Sequence, residues 1–116
     1  MNEEAKKIIE ENPVALASVN PDGKPNVNAV AFVKVKDEKI VITDNYMKQT
    51  KENILANPAV CLAVWDKDWK GYKIIGEAEY FDSGEWLDFV KAIEENKDEP
   101  AKGAVVVNVK EMRKLG

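Results

Sequence analysis

The chain has 116 residues, 45% of them apolar and 33% charged, with a net charge of -4. That suffices for one domain, residues 1–116, with a real core, and no apolar run approaches the roughly 20 residues that a membrane span needs. Histidine is absent and Cys61 is the one cysteine, which excludes His-based triads, His general bases, an internal disulfide and a structural zinc site.

The single arginine, Arg113, and the acidic balance argue against general binding to a phosphate backbone. The opening "MNEEAKKIIEEN" is acidic and amphipathic, without a signal-peptide pattern, so a cytoplasmic location is the default expectation. Redox or transfer chemistry, if present, is expected to come from a bound organic cofactor.

Asn2 is placed to cap a first helix, with Glu3 and Glu4 in its first turn and Asn12-Pro13 at its end; acids there complement the helix dipole. "VALASVN" reads as a strand and "PDGK" as a turn. "PNVNAVAFVKVK" reads as one long second strand, "KDEK" as a tight turn and "IVITD" as a third strand. A short helix is expected from about Thr50 to Ala56. "AVCLAVWD" and "YKIIGEAEYF" are the fourth and fifth strands, with Gly76 a candidate bulge. Asp82-Ser83 opens a helix through "GEWLDFVKAIEEN", with Trp86, Val90 and Ile93 on one face beside Phe89, and "AVVVNVKEM" is the sixth strand. Six strands with short connections predict a mainly β chain: a six-stranded antiparallel barrel or sandwich with helices over its openings.

Two strands carry apolar residues on both faces. Val27, Ala29, Ala31, Val33 and Val35 form one continuous face of residues 26–36, and residues 59–65 are apolar on either side. A small barrel buries only its inner face, so a helix, a second subunit or a flat ligand must cover the outer one.

The stretch "TDNYMKQTKEN" places Lys48, Gln49 and Thr50 at a helix start. Thr50 is a good N-cap residue, and in the simplest reading it serves only as one. The same geometry, with unpaired N–H groups, a hydroxyl, an amide and a cation, also suits a phosphate monoester. "DKDWKG" between Trp65 and Trp69 lacks the length and spacing of a calcium loop. No catalytic pair of carboxylates is evident, and no metal site is expected.

On "PNVNAVAFV", "IVITDNYMKQTKENILANPAVCLAVW" and "YKIIGEAEYF", the chain resembles the pyridoxamine 5'-phosphate oxidase-like FMN-binding split-barrel superfamily, in its small FMN-binding form. The resemblance covers about residues 8 to 110. It implies a homodimer with FMN held at the interface. The phosphate would sit at Lys48, Gln49 and Thr50, and the ring along the main chain of Asn28, Ala29, Val30, Ala31 and Phe32. Thr43 and Asp44 would lie beside the ribityl chain. The full oxidase carries an Arg–Lys pair where this chain has Gln49 and Thr50, leaving Lys48, with Lys51, to supply charge. The oxidase also has a longer C-terminal segment, so the pyridoxal-forming reaction is not expected. The implied role is a flavin-dependent reductase or an electron carrier, whose acceptor is not legible. The alternatives are a deazaflavin-binding member, a cofactor-free dimeric scaffold, and an OB-like nucleic-acid-binding barrel.

Overall fold

The computed structural model describes residues 1–115. The elements in chain order are α1 (Glu3–Glu11), β1 (Val14–Val19), β2 (Pro25–Val30), β3 (Lys34–Lys36), β4 (Lys39–Asp44), α2 (Gln49–Ala56), β5 (Ala59–Trp65), β6 (Gly71–Phe81), α3 (Glu85–Lys91) and β7 (Gly103–Lys114), with a 3-10 turn at Glu94–Asn96. Every strand pairing is antiparallel, in the order β2-β1-β5-β6-β7-β4-β3. Among the described residues no helix is long and apolar enough to cross a membrane.

Among the described residues seven strands form, not six. The long second strand expected over 25–36 divides at Ala31–Val33, because its two halves pair with different partners: β2 with β1, and β3 with β4. Phe32 turns the chain there in a left-handed conformation, φ 56°. This hop dictates the overall shape. Four residue steps from Val30 to Lys34 span at most about 14 Å, whereas seven flat strands at about 4.8 Å spacing would hold their edges about 29 Å apart. The sheet therefore curls until its two edges nearly meet, which makes a split barrel.

Local chemistry explains most boundaries. Asn2 Oδ1 accepts from the Ala5 N–H at 2.8 Å and caps α1. Asp37 and Glu38 both take positive φ in the β3–β4 turn, as a two-residue hairpin requires. Gly76 marks a bulge in the β6–β7 ladder; a Cβ there would stand 2.4 Å from the Asn108 carbonyl oxygen. The helix expected through residue 96 ends sooner. Ile93 is extended, with φ -70° and ψ 114°, and a 3-10 turn follows.

Inside the curl, Leu16, Ile40, Ile42, Leu62, Ile74 and Val107 form the main core, closed at one end by Ile8 and Ile9 of α1. A second cluster lies outside the curl, where α3 lays Val90 on Val41, Ala104 and Val106, with Ile93 alongside. A helix thus covers the outer face of β4 and β7. The outer face of β2, β1 and β5 has no such cover within the chain: Val27 is 67% exposed, Ala29 and Ala63 belong to the same surface, and the register aligns Val27, Ala17 and Cys61 in one row across it. Of the apolar face expected along 26–36, only Val33 is fully buried; Val27, Ala29 and Ala31 face outward.

Leu62 is 1% exposed at the centre of the main core. Leu62→Ala is expected to cost about 2–5 kcal/mol, read as a lowered urea midpoint with an unchanged slope.

Candidate functional site

The hop that closes the barrel also opens a cleft. A cavity of about 310 Å³ lies between residues 28–32 on one side and Thr43 with the loop Asn45–Met47 on the other, floored by Asn96 and Glu99. This is the small end of ligand-sized pockets, roughly 300–1,000 Å³. Because β2 pairs only with β1, alternate main-chain N–H and C=O groups along its free edge have no sheet partner. The far wall is held by a reciprocal amide pair: Asn45 Nδ2 donates to Asn96 Oδ1 at 2.8 Å, and Asn96 Nδ2 returns a bond at 3.1 Å. The Ala101 N–H adds a third bond to Asn45 Oδ1. The Tyr46 hydroxyl donates to Glu99 Oε2 at 2.6 Å, and that bond raises the phenol's pKa.

One atom in this wall is unsatisfied. Among the described residues, Thr43 Oγ1 is the single buried side-chain oxygen or nitrogen without a hydrogen-bond partner. Such an atom costs about 1–3 kcal/mol if left so. The residue as a whole lines the cleft, as do residues 28–32 of the β2 side.

The start of α2 is not capped by a side chain. The helix begins at Gln49 with Lys48 in the cap position. The Thr50 hydroxyl, expected to cap, donates instead to Asn28 Oδ1, and Asn26 Nδ2 lies 3.2 Å from Thr50 Oγ1. One turn on, fully buried Asn53 donates to Ser18 Oγ at 3.0 Å and Asn20 Oδ1 at 2.8 Å, and accepts from Gln49 Nε2 at 2.8 Å. These uncharged side chains lock α2 onto β1 and β2. An Arg–Lys pair at positions 49 and 50 would put two cations where this network closes.

The charged groups gather on the other flank of the helix. A second, open cavity of about 410 Å³ is lined by Lys48, Lys51 and Lys102, with Asp44, Glu52 and Tyr80. It adjoins the cleft through Tyr46 and Met47, which line both. Asp44 is buried and spoken for: Oδ1 accepts from the Met47 N–H at 2.8 Å and Oδ2 from the Tyr80 hydroxyl at 2.5 Å. Burial, then the bond to Asp44, pushes the Tyr80 phenol well above its ordinary 10.0.

The structure thus brings Asn28, Ala29, Val30, Ala31, Phe32 and Thr43 together around one cleft. It sets Asp44 and Lys48 on the adjoining cavity. It turns Thr50 inward, onto Asn28, and leaves Gln49 exposed with its side-chain amide on Asn53. Asn45, Tyr46, Asn96 and Glu99 were not foreseen. Asn45 follows directly on the strand-ending Thr43-Asp44, a signal that could have found it; Asn96 and Glu99 enter from about fifty residues away, and no local pattern marks them. The stacked rings of Trp65 and Trp69, 6.3 Å apart, lie on the β5–β6 turn, where Asp66 Oδ1 accepts from the N–H groups of Asp68 and Lys70. The first acid of "DKD", Asp66, thus serves the turn.

A curled antiparallel sheet whose edges are joined by a short hop, with a cleft along one free edge, defines a split-barrel domain. The model of the family described as pyridoxamine 5'-phosphate oxidase matches residues 1–116, and the chain belongs to that family. An uncharacterized protein of Methanocaldococcus jannaschii is 36% identical over 120 residues, covering 99% of this chain and 80% of that protein. The pyridoxine/pyridoxamine 5'-phosphate oxidase of Bdellovibrio bacteriovorus is 34% identical over 82 residues, 70% of this chain but 42% of the enzyme. Among solved structures, HupZ of Group A Streptococcus superposes with a TM-score of 0.90 at 23% identity, over 99% and 94% of the two chains. An FMN-binding protein of Syntrophomonas wolfei gives 0.85 at 18% identity, over 98% and 85%. An F420 reductase gives 0.77 at 26%, over 97% and 98%. The seven-stranded order is not that of a five-stranded OB-type barrel.

Two outcomes follow from these contacts. Asn53→Ala leaves Ser18, Asn20 and Gln49 without their shared partner and is expected to cost about 1–3 kcal/mol in chemical denaturation. Tyr80 binds its proton more tightly folded than unfolded, so its contribution is complete below about pH 10 and is lost as pH rises through the raised value. Stability should therefore fall above pH 10, and Tyr80→Phe should flatten that fall.

Proposed function

We propose that this chain is a flavin-type redox protein whose ring lies in the cleft, along the main chain of residues 28–32, with FMN as the cofactor. The observation that carries this reading is a cleft with the free edge of β2 at residues 28–32 on one wall and Thr43, whose buried Oγ1 has no partner, on the other. A flat heteroaromatic ring bearing N–H and C=O groups meets both needs at once. The main-chain groups of β2 would read its polar edge, and the threonine hydroxyl would find a partner. Ala29 and Ala31 are small enough to let a ring approach the backbone closely. Met47 and Phe32 supply apolar surface at the rim. The FMN-binding protein and the F420 reductase share this fold, which supports a flavin or a deazaflavin as the occupant.

When bound, the cofactor would supply electron or hydride transfer. The chain would position it and exclude water, since no side chain in the cleft is placed as an evident acid or base. Asp44 is held by Tyr80 and Met47, and Glu99 by Tyr46.

A second copy of the chain is proposed to complete the site. The outer face of β2, β1 and β5 presents Val27, Ala29, Ala17, Cys61 and Ala63 to solvent or partly so, and it adjoins the cleft through β2. A contiguous apolar surface of this kind marks an association site. Isologous packing of two such faces would wall the open side of each cleft.

Thr43→Val tests the cofactor. FMN affinity in a fluorescence titration should fall about tenfold, roughly 1.4 kcal/mol, while thermal stability stays level or rises because an unsatisfied atom is removed. Unchanged affinity would remove the ring from this cleft. Ala17→Glu tests the second copy: light scattering should show a dimer for the parent chain and a monomer for the variant.

A further inference from the structure

We infer that Glu99 sets the redox bias of the cleft: its carboxylate disfavours added negative charge there and so makes the bound cofactor a stronger electron donor. This rests on the flavin reading above. Among the described residues that line the cleft, Glu99 alone carries a formal charge. It takes part in none of the ion pairs of the described residues. Lys48, Lys51 and Lys102 line the adjoining cavity instead, and Lys97 is paired with Glu94. The placement of the acid is built into the chain. The segment that carries it is fastened at both ends to the end of β4. Asn96 exchanges amide bonds with Asn45, the Ala101 N–H donates to Asn45 Oδ1 at 3.0 Å, and the Lys102 N–H donates to the Asp44 carbonyl oxygen at 2.7 Å. Between these ties the Glu99 N–H donates to the Asn96 carbonyl oxygen at 3.0 Å, and the following Pro100 restricts the Glu99 backbone. The Tyr46 hydroxyl then holds the carboxylate itself, 2.6 Å from Oε2. That bond raises the phenol's own pKa, so Tyr46 remains the donor and Glu99 the acceptor. Glu99 therefore brings a held charge to the cleft, not a proton to transfer. The other polar groups of the cleft are neutral, so this charge matters most where the charge of the occupant changes. Two electrons and one proton added to an isoalloxazine ring leave it one unit more negative. A carboxylate nearby opposes that change. The oxidised form is then bound better than the reduced form, and by linkage the bound ring gives up its electrons more readily.

The test measures the midpoint potential of FMN bound to the parent chain, to Glu99→Gln, to Glu99→Asp and to a control on α1, Glu3→Gln, by dithionite titration against a reference dye near neutral pH. Glu99→Gln should improve the binding of reduced relative to oxidised FMN about tenfold, which is a potential about 30 mV higher. Glu99→Asp keeps the charge and should stay near the parent, as should Glu3→Gln. Glu99 is exposed, so the rise should shrink between about 0.01 M and about 1 M salt, where the Debye length falls from about 30 Å to about 3 Å; a change in packing would not respond in that way. Equal potentials for the parent and Glu99→Gln at low salt, or an equal rise in Glu99→Asp or Glu3→Gln, would overturn the role of Glu99 while leaving the ring site standing. Failure of FMN to bind the parent chain would overturn the flavin reading and this inference together.

Discussion

The fold hangs on a short covalent constraint backed by a buried amide. Ala31–Val33 tie the two edge strands together, and that tether forces seven strands to curl. Curling alone leaves a seam, and α2 bridges it. The helix leaves β4 on one side of the sheet and is fastened to β1 and β2 on the other. Asn53 is the fastener: its amide nitrogen serves Ser18 and Asn20, and its oxygen takes Gln49. An amide with no exposed surface and all these bonds satisfied contributes specificity that an apolar residue could not, because only one placement of the helix completes the set.

That fastening has an electrostatic side. Neutral Gln49 and Thr50 stand where the full oxidase carries an Arg–Lys pair, so at the helix start only Lys48, in the cap position, carries positive charge. The lysines sit one helix face away. The buried carboxylate of Asp44 does not cancel them cheaply, since it is already bonded to a tyrosine hydroxyl and a main-chain N–H. Polar matching and charge are thus separated on the two flanks of one eight-residue helix.

Features decided by local chemistry were legible in the sequence. Asn2 caps α1 because its side chain needs only the N–H three residues on. Gly76 marked the bulge in the β6–β7 ladder, whereas residues 59–65 are apolar on both faces and left the inner side of β5 unmarked. What depended on distant pairing was not legible. The apolar alternation runs unbroken through Val27, Ala29, Ala31, Val33 and Val35, so nothing local announces that the strand divides at Phe32; only the competing edges β1 and β4 decide it. Thr50 looked like a cap because threonine is a good one, but Asn28, twenty-two residues away, takes its hydroxyl. The segments 28–32 and Thr43 were singled out and do share one cleft. Asn96 and Glu99 could not be, because they reach the site only after α3 has turned the chain back.

A wall made of main chain carries a consequence for how such a protein can drift. Side chains at positions 29 and 31 can be exchanged for others of similar size without altering the N–H and C=O groups that β2 offers, so long as the hop keeps its length. Insertion or loss of a residue there would shift one edge of the barrel against the other and change the cleft's width. A site of this construction is therefore tolerant of substitution and intolerant of changes in length. That fits a structural likeness that stays near a TM-score of 0.9 when identity has fallen to 23%.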